Sequence, residues 1–87
     1  MNYQSKEALA KVFKEANGWS ILEDGWELCA RNTNWSVELE CHSQFTEGKV
    51  DYPYINVKLY LHGRYKYMAS FYTVKQCKEY IKSFGII

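Results

Sequence analysis

Apolar positions recur along the chain with two different periods, and the change between them divides it into elements. Leu9, Val12, Phe13 and Ala16 return at helical spacing and form one apolar stripe, which predicts a helix over residues 5–17. Ser5 stands where an N-cap would accept orphan amide hydrogens, and Glu7 lies in the first turn. Asn17 and Gly18 tolerate positive φ and end the helix. From Gly25 the period becomes two. Trp26, Leu28 and Ala30 alternate with Glu27, Cys29 and Arg31, so a strand is expected at about 26–31 and its partner at 35–42. A two-residue turn at Asn32 and Thr33 sets Ala30 against Trp35, Leu28 against Val37 and Trp26 against Leu39, all apolar on one face.

A second hairpin follows, with strands at about 55–61 and 65–72. Its loop length can be chosen by chemistry. Two residues, His62 and Gly63, would place Arg64 and Lys66 on the core face opposite Leu61 and Leu59. Three residues, His62 to Arg64, set Leu61 against Tyr65, Leu59 against Tyr67, Val57 against Ala69 and Ile55 against Phe71. The side-chain period of two favours the three-residue loop. Thr73 then caps a last helix over 74–84, whose stripe is Val74, Cys77, Ile81 and Phe84 and which Gly85 ends. Pro53 belongs at a strand entrance, and 43–54 reads as the longest irregular stretch. The predicted fold is α+β: helix, four-stranded antiparallel β-meander, helix, with both helices on one face of the sheet. One compact domain covers residues 1–87.

Strand parity sorts the tyrosines. Tyr65 and Tyr67 are expected toward the helices. Tyr60 and Tyr72 are expected on the other face with Lys58, Lys66, Met68 and Ser70, joined by Glu27, Cys29, Arg31, Ser36, Glu38, Glu40 and His42. Nothing else in the chain is available to cover that face. An antiparallel sheet can also show one face to water, and bare exposure is the alternative reading. Tyrosine and methionine give large contact area at low entropic cost, which makes Tyr60, Met68 and Tyr72 among charges the candidate partner surface.

Composition adds two facts. The aromatic share of 17% exceeds what a core this small needs. The net charge of +1 conceals a division: residues 20–51 carry −5 and residues 52–87 carry +5. The bland reading is internal neutralisation, with Glu38 or Glu40 beside Lys58. The functional one is a bipolar surface that orients a partner.

Catalytic chemistry finds little support. Cys41 and His42 are neighbours on a strand and face opposite ways, so they share no site. Cys29 has no histidine at a register position beside it. Two histidines and three cysteines spread over both faces do not converge as metal ligands. Glu38 and Glu40 share one face, but a catalytic pair needs separated pKa values in a cleft. No GxGxxG or Walker sequence occurs. Neither enzyme activity nor a cofactor or metal is expected. Three cysteines without CxxC spacing suit free thiols in a reducing cytoplasm, and residues 1–7 lack the charge-then-apolar order of a secretory signal. No apolar run is long enough to span a membrane.

The leading expectation is a small non-enzymatic protein-interaction module. Its size and style are those of accessory proteins from phages and mobile elements that inhibit host defence or nucleic-acid-handling proteins, anti-CRISPR proteins among them. That is an analogy of style, with no motif behind it. The partner-binding residues would be Glu27, Glu38, Glu40, Lys58, Tyr60, Lys66, Met68 and Tyr72. The second reading is direct DNA or RNA binding by Lys58, Arg64, Lys66, Lys75, Lys78 and Lys82 with the tyrosines between them. The order helix, sheet, helix loosely resembles double-stranded RNA-binding domains. Those have three strands and open the second helix with a lysine cluster after a Gly-rich turn, which Thr73-Val74-Lys75-Gln76-Cys77-Lys78 does not match. A third reading is a homodimer joined by its charged halves or by its sheet edges.

Overall fold

The computed structural model describes residues 3–44 and 52–87. The order is α1 (Tyr3–Glu15), β1 (Ser20–Asp24), β2 (Glu27–Arg31), β3 (Trp35–Gln44), β4 (Tyr52–Leu61), β5 (Arg64–Phe71) and α2 (Val74–Ser83). The five strands form one antiparallel meander in sequence order. The expected α+β architecture is therefore present, with five strands instead of four.

The strand absent from the sequence reading is β1. Its two apolar residues, Ile21 and Leu22, are adjacent, and so are its two acids, Glu23 and Asp24, so no alternation announces it. In the sheet Ile21 packs against the core while Leu22 is 71% exposed. Glu23 lies near α1, where Lys14 Nζ reaches its carboxylate at 3.6 Å. Strand β1 turns into β2 through Gly25 and Trp26, with Gly25 at φ +57° and Asp24 opposite Glu27. A turn with its glycine in the first central position suits a two-residue hairpin. Trp26 thus belongs to the turn, not to the following strand, and its ring lies 5.9 Å from the His42 ring.

The β2–β3 register also moves. Ala30 pairs with Val37 and Leu28 with Leu39. Asn32 explains the shift. Its Oδ1 accepts from the amides of Asn34 (3.0 Å) and Trp35 (2.7 Å), and its own amide donates to the Trp35 carbonyl at 3.0 Å. An Asx turn therefore places Thr33 and Asn34 at the tip, one residue later than expected. The slip is two register steps, so every side chain keeps its face.

The β4–β5 hairpin reconciles two demands that the sequence sets in conflict. Its loop has two residues, not three: Leu61 pairs with Arg64, and His62 (φ +52°) and Gly63 (φ +77°) both take left-handed backbone. That is the requirement of a type I′ turn. A bulge then absorbs one residue of β5, because Tyr60 pairs with Tyr65 while Leu59 pairs with Tyr67. Beyond it, Val57 faces Ala69 and Ile55 faces Phe71, as the core pattern requires. Tyr65 is displaced from its expected place toward the helices. Its ring meets Tyr60 edge to face at 5.9 Å.

Helix α1 starts at Tyr3, so Ser5 is a buried residue of its first turns and not its cap. It ends at Glu15, before Gly18 at φ +90°. Thr73 does cap α2: its Oγ1 accepts from the Gln76 amide at 3.1 Å. Leu9, Ala10 and Phe13 of α1 and Cys77 and Ile81 of α2 are buried with Leu28, Ala30, Val37, Leu39, Cys41, Ile55, Val57 and Leu59. Strand alternation puts all those sheet residues on one face, so both helices cover the same side. Strands β3 and β4 extend past the expected 35–42 and 55–61, taking in part of the stretch read as irregular; 45–51 lie outside the described residues. No helix among the described residues is long and apolar enough to cross a membrane.

Candidate interaction face

The face of the sheet away from the helices is built in transverse rows, because register partners in an antiparallel sheet share a face. One row runs Ser20, Arg31, Ser36, Tyr60, Tyr65. The next runs Leu22, Cys29, Glu38, Lys58, Met68, and the third runs Asp24, Glu27, Glu40, Asn56, Ser70. A fourth holds His42 opposite Tyr54, whose ring lies 5.7 Å from that of Tyr72. Among the described residues nothing lies across these rows.

Glu38 and Lys58 are direct cross-strand partners, the juxtaposition expected for internal neutralisation, and Met68 completes their row. The Tyr60 hydroxyl donates to Glu38 Oε2 at 3.3 Å. Desolvation first, and then this carboxylate, raise the Tyr60 pKa above its ordinary 10.0. Glu27 and Glu40 are also partners, and Glu40 Oε2 sits 3.2 Å from His42 Nε2. Tyr72 lies just beyond β5 and joins the face through Tyr54. Lys66 sits in the bulge beside Tyr65. A bulge presents two consecutive residues to one partner, so both stand against Tyr60.

Asp24, Glu27, Glu38 and Glu40 gather over β1, β2 and β3 around a shallow depression of about 320 Å³, with Leu22 and Cys29 also lining it. Like charges directly opposite in a sheet destabilise it, so Glu27 facing Glu40 is a local cost. Among the described residues Asp24, Glu27 and Glu38 form no ion pair. Sequence reasoning groups Asp24 with the acids but misses Leu22, because β1 is not announced by alternation. The Asp24-Gly25 pair, a strong hairpin signal, was the available clue.

The cysteines divide as expected. Cys29 is half-buried on this face, and Cys41 and Cys77 are buried under the sheet. Burial pushes the Cys41 thiol up to about 11 and the Cys77 thiol up to about 12. Such thiols stay protonated near neutrality and are poor nucleophiles. Among the described residues no cluster of three His, Cys, Asp or Glu side chains is placed to hold a metal ion. The lysines of α2, Lys75, Lys78 and Lys82, belong to the opposite layer from Tyr60 and Tyr72. No protein-family model, no curated protein and no solved structure matches the chain.

Proposed function

We propose that this chain is a non-enzymatic interaction module whose open sheet face docks on a cationic surface of another protein, such as the groove of a nucleic-acid-handling protein of the host. The observation that carries this reading is the gathering of Asp24, Glu27, Glu38 and Glu40 on one uncovered face, rimmed by Tyr60, Met68 and Tyr72. Carboxylates kept together despite their mutual repulsion gain most from a basic partner, and flanking tyrosines supply the contact area. An inhibitor of this kind, acting in the cytoplasm on a defence nuclease, would hold the surface that normally carries phosphates. Direct nucleic-acid binding is the weaker reading: the α2 lysines and the open-face tyrosines belong to opposite layers, so they do not form one track.

The test is capture of a partner by immobilised protein after nuclease treatment, repeated with Glu38→Lys and Glu40→Lys together. Affinity for the captured protein is expected to fall about tenfold or more, equivalent to ~1.4 kcal/mol, with a flatter salt dependence. Binding unchanged in strength and salt slope would reject the acidic face. Steeply salt-dependent binding of the isolated protein to a generic duplex would favour nucleic acid instead.

A further inference from the structure

We infer that β5 is a self-association edge: two copies pair β5 with β5, antiparallel about a two-fold axis normal to the sheet. Among the described residues β5 has a strand neighbour on one side only. Edge strands are usually protected by shortness, charge, proline or bulges. The other edge, β1, has five residues and carries Glu23 and Asp24. The protection of β5 is confined to its start, where Arg64, Lys66 and the bulge lie. Residues 67–72, Tyr-Met-Ala-Ser-Phe-Tyr, contain no charge and no proline. Tyr67 and Met68 are 50% and 58% exposed there.

The segment is complementary to itself. With Ala69 on the axis, Tyr67 meets Phe71 of the second copy on the helix side. Met68 meets Ser70 on the open side, and Lys66 meets Tyr72, a cation beside an aromatic ring. No like charges are opposed. Rotation about the sheet normal keeps both helical layers on one side and makes the two sheets continuous, which an isologous interface permits. A groove of about 470 Å³ between β5 and α2, lined by Ser70, Phe71, Tyr72, Gln76, Glu79 and Tyr80, runs along the half of the edge that the second copy's Lys66–Met68 segment would occupy. Its single charged lining residue is acidic Glu79, and the incoming segment brings one cation, Lys66, and no acid. Backbone hydrogen bonds supply affinity in such strand addition, and the groove supplies specificity.

Sedimentation equilibrium of the purified chain from micromolar to millimolar concentration tests this. A monomer–dimer equilibrium is expected. Met68→Lys with Ser70→Lys sets lysines opposite each other on both sides of the axis and should weaken it about tenfold or more. Glu38→Lys with Glu40→Lys should leave it unchanged, which separates this interface from the acidic face. Hydrogen exchange of the unaltered protein gives a second readout: amides of residues 67–71 should lose protection on dilution. A monomeric mass throughout would overturn the inference. So would a dimer whose β5 amides exchange alike at high and low concentration.

Discussion

Gly63 takes φ +77° at the tip of the second hairpin, and a Cβ built there meets nothing within 4 Å. The penalty for Gly63→Ala is therefore conformational, about 1–2 kcal/mol for an L-residue held in left-handed backbone. Chemical denaturation measures it. Thr73→Ala removes the Oγ1 acceptor for the Gln76 amide and should cost about 1 kcal/mol in the same assay. The buried thiols make stability depend on alkaline pH. Cys41 and Cys77 are raised from 9.0 to about 11 and about 12 in the fold, so between those values the native state holds protons that the unfolded chain has lost. Their contribution is complete below pH 9.0 and is lost as pH rises through the folded values. Unfolding free energy should fall across that window, and Cys77→Ala should reduce the slope while lowering stability overall. Alkylation of the native protein at neutral pH should label Cys29 before either buried thiol.

At the scale of elements, the bulge in β5 is the most informative feature. Lys66 is the residue by which the strand exceeds a regular ladder, since the pairs on either side of it are Tyr60 with Tyr65 and Leu59 with Tyr67. Deleting Lys66 should keep every core pair and still yield a folded hairpin. Deleting Ala69 should instead move the following residues by one step and turn Phe71 out of the core, losing about 1.5–3 kcal/mol of burial. Urea unfolding of the two deletions separates them; equal loss would contradict the bulge. The β1–β2 hairpin is bound differently. Lys14 reaches Glu23 and Lys6 Nζ donates to the Gly25 carbonyl at 2.8 Å, so α1 holds this hairpin by polar contacts as well as through Ile21.

For the whole molecule, one core joins both helices to the sheet, and among the described residues its largest buried side chain is Phe13. A chain of 87 residues has a total stability of roughly 4–13 kcal/mol. Phe13→Ala removes about 3–5 kcal/mol, a large share of that total. It should leave the protein partly unfolded at physiological temperature, visible as a lowered and broadened thermal transition. The charge division follows the layers only in part. Acids collect on the open face over β1 to β3, while the basic side chains of residues 52–87 are divided between α2 and the β4–β5 hairpin. The acidic pole is therefore the more concentrated one.

Apolar alternation within β2, β3 and β4 is enough to assign their core-facing residues. A period of two along Leu28–Ala30, Val37–Leu39–Cys41 and Ile55–Val57–Leu59 leaves one burial solution, and all of these side chains are buried. The sequence by itself also determined the Thr73 cap and the ends near Gly18 and Gly85, because those are local bonds and dihedrals. The existence of β1 follows from packing, since its adjacent apolar pair and adjacent acids acquire meaning through α1 on one side and β2 beside it. The tertiary structure likewise decided the two-residue turn and the bulge. Turn chemistry at His62 and Gly63 and core register at Leu59 pull toward different loop lengths, and the conflict resolves only when both strands are paired. The rows of the open face, with Glu38 between Cys29 and Lys58 and Tyr60 bonded to Glu38, come from that pairing. Parity assigns a residue to a face, but register across strands chooses its neighbours.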